Sequence, residues 1–314
     1  MYWQYVLRRV LLTVPTLLIA STLVFMVVRL LPGDPALLIV SDAQDPVLLE
    51  ATRERLGLNK PLIVQYALWL RQMVGLDMGV SISTGLPVAE LIGTRFAVTA
   101  RIVTIACLVA LLLAVPLGLL AAARHNRALD RGVMMASILL LSVPSFWVAL
   151  LLILLFGVTL RWLPTVGYVS PSEDLLLALK FAVMPVLALC LTVIGQLARM
   201  MRSTSLDVLA SDYILFARAK GLSEQAVLGR HALPNALAPT LTVAGMIFGA
   251  LLGGAAVIET IFTIPGIGRL LVDSIYARDY PVIQGSVLLV GFVYIMVNLA
   301  VDLLHPLLDP RVEY

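Results

Sequence analysis

Charge is what this sequence has least of. Of its 314 residues only 13% are Asp, Glu, Lys or Arg, against roughly 25% in an average soluble domain. Six stretches of at least 18 residues carry none: 10–28, 102–123, 133–160, 181–198, 231–258 and 280–301. Each is long enough for a hydrocarbon core of about 30 Å, which takes about 20 helical residues. A soluble domain of this size needs charge on the outer face of most helices, and a disordered or nucleic-acid-binding chain needs still more. Both classes are excluded, and an all-α polytopic membrane protein remains.

Other scarcities narrow the chemistry. The two cysteines, Cys107 and Cys190, both fall inside apolar runs and read as free, buried thiols, with no disulfide framework or zinc spacing. The three histidines, His125, His231 and His305, stand far apart and beside no Cys, so no metal site is expected. There is no Gly-x4-Gly-Lys-Ser/Thr phosphate loop, so the chain lacks that means of cradling ATP. Nor is there a His-Glu-x-x-His, a Gly-x-Ser-x-Gly or a paired intramembrane Asp, and a non-catalytic protein is expected. The net charge of +3 is too small to point to a polyanionic partner. No charge sits mid-span and no inverted repeat is evident, which disfavours an ion-coupled secondary transporter.

What is present organises around six expected spans, at about 10–31, 98–123, 133–160, 178–198, 236–258 and 281–304. Arg8 and Arg9 precede a first run that continues to about Leu31 without a cleavage site, too long for a removed signal segment. With the N-terminus inside, the cytoplasmic segments hold eleven basic residues: Arg8, Arg9, Arg124, Arg127, Arg131, Arg199, Arg202, Arg218, Lys220, Arg230 and Arg311. The two short external loops hold four, Arg161, Lys180, Arg269 and Arg278. The positive-inside rule therefore predicts both termini in the cytoplasm. Pro116, Pro144 and Pro185 lie within spans and predict kinks. Arg29, Arg101 and Asp302 stand at span ends, where a long side chain reaches water.

Two loops are long enough for structure. The extracytoplasmic loop 32–96 opens with Pro32-Gly33-Asp34-Pro35, a rigid exit that cannot continue a helix. Helical patterns follow around Pro46–Leu56, closed by Gly57, and over Pro61–Val74, closed by Gly75. Tyr66 and Trp69 suit a membrane interface. The second loop, 199–235, carries a helix from Asp212 to Lys220, with Asp212 at its positive end and Arg218 and Lys220 in its last turn. Gly221 then stands where a left-handed residue ends a helix. After Leu222, Ser223 caps a second helix with Glu224 in its first turn, running to Leu233 and separated from the next span by Pro234 and Pro239. The residues alone leave two readings open, an ordinary re-entry loop or an elbow able to transmit a push.

The spacing Ala217-x3-Gly221-x9-His231-x-Leu233-Pro234 resembles the "EAA" loop of ABC importer permeases, Glu-Ala-Ala-x3-Gly-x9-Ile-x-Leu-Pro. Leu215 and Phe216 replace the Glu and first Ala, and His231 replaces the Ile. The fuller run ARAKGLSEQAVLGRHALPNALAP is similar to the dipeptide/oligopeptide/nickel subfamily. So, in order, are YVLRRVLLTVPTLL, LPGDPA, SVPSFW, ETIFTIPGIGRLL, RDYPVIQG and DLLHPLLDPR. The resemblance implies a type I importer permease of six transmembrane helices, of the subunit type with a long loop after the first helix, in a bacterial cytoplasmic (inner) membrane. It implies a second, non-identical permease subunit, two cytoplasmic ATPase subunits that bind ATP and Mg, and an extracytoplasmic substrate-binding protein. No cofactor is expected on this chain. Asp212, Ala217, Lys220, Gly221, Leu222, Ser223, Glu224, His231, Leu233 and Pro234 carry over as the ATPase-coupling loop. Dipeptides or oligopeptides are the expected cargo, with nickel chelates, glutathione or opine-like solutes as alternatives.

Two further groups stand out. Gly245, Gly249 and Gly253 recur every four residues, a small face for close helix packing against either the partner permease or another helix of this chain. Glu259, Arg269, Asp273, Arg278 and Asp279 surround the turn Pro265-Gly266-Ile267-Gly268. They read either as solvated interface charges or, by resemblance, as contacts to the external path or the binding protein.

Overall fold

The computed structural model describes residues 2–30, 46–55 and 59–308. The expected exit Pro32–Pro35, the helix stop Gly57 and Arg311 lie outside the described residues. Thirteen α-helices run through them: α1 (Tyr2–Leu30), α2 (Pro46–Arg55), α3 (Leu62–Val74), α4 (Val88–Ala123), α5 (Ala128–Ser142), α6 (Ser145–Leu152), α7 (Leu175–Leu209), α8 (Asp212–Ala219), α9 (Glu224–Val227), α10 (Leu233–Gly254), α11 (Ala256–Ile261), α12 (Ile267–Ala277) and α13 (Tyr280–Leu308). Wider π turns extend α6 through Ile153–Thr159 and join α9 to α10 through Leu228–Ala232. Among the described residues there is no β-strand, only an isolated bridge between Val80 and Pro87. Five helices are long and apolar enough to cross a bilayer, and six if α5 and α6 together make one span. The chain is an all-α, multi-pass membrane protein.

The prolines behave differently from one another. Pro116 and Pro185 sit inside unbroken helices, where the extensive packing of α4 against α7 holds both segments straight enough to stay continuous. Pro144 breaks the third apolar run, and α5 and α6 meet at 95°. The residue before a proline is pushed out of the α region, and Val143 (φ −91°, ψ 123°) and Pro144 (φ −61°, ψ 138°) are both extended. A kink expected from the sequence is here a corner.

The core lies where α4, α6, α7 and α10 meet, around Ala106, Ala110, Met184, Leu189, Cys190, Val193 and Leu197. Small residues set its tightness. A Cβ on Gly118 would fall 2.6 Å from the Ala198 carbonyl oxygen, and one on Gly195 would fall 2.8 Å from that of Ser137. Those glycines bring α4 and α5 against the α7 backbone, and sequence reasoning did not single them out. Cys107 and Cys190 are buried and free.

The glycine face of α10 turns toward α13 of the same chain. A Cβ on Gly245 would collide with Val301, one on Gly249 would lie 2.6 Å from the Tyr294 ring, and one on Gly253 would meet Val290 at 3.8 Å. Gly249→Leu should therefore overpack this seam by about 1–3 kcal/mol and lower the melting temperature of the purified protein. Tyr294→Ala, which removes the obstructing ring, should recover part of that loss. An unchanged melting temperature in the single variant would deny the seam its close packing.

Candidate coupling elbow and its anchors

The elbow is built by end-capping chemistry. Beyond Leu209, the chain turns and starts α8 at Asp212, whose carboxylate lies in the first turn, with Arg218 in the last. Lys220 caps the helix and Gly221 follows at φ +86°. Nothing lies within 4 Å of a Cβ placed there, so glycine is demanded by backbone conformation, not by space. The amide of Gly221 donates to Arg218 O (2.9 Å) and that of Leu222 to Ala217 O (3.3 Å), the paired bonds of a Schellman ending. The hydroxyl of Ser223 accepts from the Ala226 amide at 3.3 Å, starting α9. Across the corner, the Arg218 guanidinium donates through Nε and Nη2 to both oxygens of Glu224, at 2.8 and 3.1 Å.

The return arm departs from expectation. Residues 224–254 form one long helical rod, with no separation at Pro234 or Pro239. The π turn explains it. The Leu233 amide reaches back five residues to Leu228 O, so the ladder has already slipped where Pro234 enters and lacks an N–H. The Asn235 side-chain amide donates to His231 O at 2.7 Å. His231 stands edge-on to the Tyr213 ring, 6.4 Å between centroids, bracing α8 against the return arm.

The elbow has two faces. Ile214, Ala217, Val227 and Ala232 are buried against the body of the protein. Leu215 and Phe216 point away, 57% and 69% exposed. Both sit on a helix beyond the apolar spans, flanked by exposed Asp212, Lys220 and Glu224.

Behind the elbow stands a charged cluster at the α4–α5 corner; sequence reasoning counted its Arg202 among the cytoplasmic basic residues, weighed His125 only as a metal ligand and did not single out Asp130. Asp130 is 2% exposed. Its carboxylate accepts both Nε and Nη2 of Arg202 on α7, the latter at 2.8 Å, and the amide of Asn126 at 2.9 Å. His125 Nδ1 lies 3.3 Å from the same carboxylate and 3.3 Å from Arg202 Nη2. Asn126 takes φ +61° to turn its amide inward.

At the opposite end, α12 is tied down by two buried carboxylates. Glu259, 2% exposed, accepts from the Thr99 hydroxyl of α4 and from the Arg269 amide (2.9 Å). Thr99 in turn accepts the Ile267 amide at 2.8 Å. Glu259 thus takes the anion position at the N-terminus of α12. The glycines make room for it: a Cβ on Gly266 would strike the Glu259 carboxyl, and one on Gly268 would strike the Ala256 backbone. Burial pushes the Glu259 carboxyl above its ordinary range, and the donors Thr99, Arg269 and Gly268 offset this only in part.

Asp279, fully buried, ties the other end to the turn that precedes α4. It accepts from the Ser81 hydroxyl (2.6 Å) and from the Ser83 amide (3.2 Å) and hydroxyl (2.8 Å). Burial acts to raise its pKa, but these donors outweigh it and hold the group below the usual carboxylate value. Of the five charges noted around this turn, Glu259 and Asp279 are internal anchors. Arg269 and Asp273 make an exposed i,i+4 pair at 3.7 Å. Arg278 ends α12 in the left-handed conformation, φ +55°.

Remaining span-end residues are partnered. Arg101 donates to the Tyr168 hydroxyl at 2.6 Å, Arg29 lies 5.2 Å over the Phe25 ring, and Asp302 pairs with Arg9 at 3.1 Å. Tyr66 and Trp69 pack on Phe25, at 5.5 and 5.6 Å between centroids, which fastens α3 to α1. Among the described residues no group of His, Cys, Asp or Glu has the geometry of a metal site.

Residues 114–314 match the family model described as "Binding-protein-dependent transport system inner membrane component", and residues 2–109 match its N-terminal counterpart. The chain is 44% identical over 309 residues to a Brucella abortus (strain 2308) protein named as a peptide transport system permease, covering 98% of each. It is 42% identical over 311 residues to the glutathione transport system permease protein GsiC of Salmonella typhimurium (strain LT2), covering 99% of each. Among solved structures, a similar chain is that titled "Crystal structure of an amino acid ABC transporter with histidines". It is 17% identical with a TM-score of 0.47, over 71% of this chain and 94% of that one.

Proposed function

Because the chain belongs to the family of binding-protein-dependent transport system inner membrane components, we propose that it is one half of the membrane pathway of an ATP-driven importer of peptides. Its relatives named for peptide and glutathione transport support that cargo class, glutathione being itself a tripeptide. In this reading both termini and the elbow face the cytoplasm, and the membrane is the bacterial inner membrane. A second permease subunit completes the path, two ATPase subunits bind ATP and Mg, and an extracytoplasmic binding protein delivers the cargo. This chain itself catalyses nothing.

The observation that carries the reading is the exposed pair Leu215 and Phe216 on a rigidly capped elbow. Two large apolar side chains facing water are stabilised by a partner's groove. ATP-driven closure of the ATPases would then displace the elbow and shift the helices between inward-open and outward-open populations. The double variant Leu215→Asp/Phe216→Asp should cut the ATPase recovered with the solubilised protein at least tenfold while its membrane level stays unchanged, since anchor residues each contribute about 2 kcal/mol or more. Uptake of a labelled peptide should fail in cells depleted of ATP with the ion gradient intact. Uptake that persists there would replace this reading with an ion-coupled carrier.

A further inference from the structure

The elbow is continuous with α7 on one side and α10 on the other, so a push on it must be passed to the rest of the subunit through the ends of those helices. The structure fixes where. On α7, residues 198–205 touch three other elements within two turns. Gly118 of α4 meets the backbone of Ala198 and Arg202, Thr204 Oγ1 donates to Ala236 O of α10 at 3.2 Å, and Arg202 forks onto Asp130 of α5. From the α10 side, the Thr240 hydroxyl donates to Met201 Sδ at 3.4 Å. Two of these links are glycine contact and weak hydrogen bonding. The third is a two-pronged ion pair with its carboxylate withdrawn from water.

That difference matters mechanically. A buried carboxylate stripped of its partner is left uncompensated, so the pair resists separation more than a methyl contact would. Its geometry is also over-determined. Asp130 sits in the first turn of α5, immediately after the corner 124–127, and that corner is closed on the same carboxylate by the Asn126 amide and His125. α5 leads to the 95° corner at Pro144, hence to α6, which packs on α7 and α11 in the core. A displacement of α7 at Arg202 therefore carries the α4–α5 corner and the broken third span with it.

We propose that the Asp130–Arg202 pair is the joint that passes elbow motion to the broken third span, making both positioning residues for transport. The proposal rests on the ATP-driven reading above, and its consequence is specific. Weakening the joint should let ATP be hydrolysed without moving cargo, whereas a merely structural pair would lower assembly, hydrolysis and transport together.

The test uses the whole complex, this chain with its partner permease, ATPases and binding protein, in proteoliposomes. Trialanine and glutathione are offered, and whichever the wild type takes up serves as the probe. Asp130→Asn and the conservative Arg202→Lys, which keeps the charge but loses the fork, are compared with wild type for subunit recovery, ATP hydrolysis and uptake. Uptake per ATP should fall at least fivefold in Asp130→Asn and less in Arg202→Lys, with subunit recovery retained. The charge-exchanged double variant, Asp130→Arg with Arg202→Asp, should regain part of that ratio. An unchanged ratio in both single variants overturns the joint, as does a parallel fall in recovery, hydrolysis and uptake in both. If the wild-type complex takes up neither probe with ATP, the functional reading fails instead, independently of the joint.

Discussion

Gly221→Pro is expected to abolish ATP-driven uptake, by tenfold or more, in a complex that still inserts and still binds its ATPases. The native φ of +86° lies outside what the proline ring permits, near −65°. The substitution also deletes the amide that donates to Arg218 O, half of the Schellman pair. Arg218 then loses its register with Glu224, and the corner between α8 and α9 opens. Gly221→Ala separates conformation from hydrogen bonding: it keeps the amide and meets no neighbour, so it should cost only about 1–2 kcal/mol for the left-handed backbone and leave measurable uptake. The graded pair is what makes the result diagnostic. Wild-type uptake by the proline variant, at equal membrane level, would mean the elbow's shape is not what transmits force. A loss of ATPase binding in that variant would instead place its defect at the docking face of Leu215 and Phe216.

How far the sequence discloses this arrangement depends on the kind of signal. Helix-end chemistry is local, and it reads out well: Gly221, Ser223, Asp212 and Arg218 all take the positions their spacing predicts. Span membership is also local, because it depends on runs of uncharged residues. What escapes is whatever depends on a distant partner. Pro234 looks like a stop, yet the π turn just before it, Leu228–Ala232, lets the helix pass through it. Gly118 and Gly195 look like ordinary membrane-helix glycines, and only the neighbouring backbones, α7 beside Gly118 and α5 beside Gly195, reveal their role. Glu259 and Asp279 look like surface charges, since the donors that satisfy them are backbone amides and hydroxyls of Thr99, Ser81 and Ser83, which carry no opposite charge to notice. One signal was available. Glu259 is followed by Pro265 and then by Gly266 and Gly268, small residues at a helix start where a carboxylate has amides to accept from. Asp130 and Arg202, 72 residues apart, offer no comparable sign.

The second large effect concerns that anchor. Glu259→Ala should free α12, because it leaves the amides of Gly268 and Arg269 without their buried acceptor, at about 1–3 kcal/mol for each. Trypsin cleavage after Arg269 and Arg278 in the purified protein should accelerate at least tenfold. Glu259→Gln should do much less: its carbonyl oxygen can face the α12 amides while its NH2 donates to Thr99, whose own proton can turn to the Arg95 carbonyl. The glutamine variant also isolates the charge. Burial raises the folded-state pKa of Glu259 above its unfolded value, so the stabilisation tied to its protonation is full below the unfolded value and is lost as pH rises through the folded one. Asp279 has the opposite sign: held low by Ser81 and Ser83, it stabilises above its unfolded value and ceases to as pH falls through its depressed one. The Asp279 contribution is common to wild type and Glu259→Gln, so it cancels in their comparison. The stability of wild type relative to Glu259→Gln should therefore decline from acid toward neutral pH. A difference that grew with pH would mean that the donors around Glu259 outweigh its burial, and the anchor would be an ionised carboxylate held as Asp279 is.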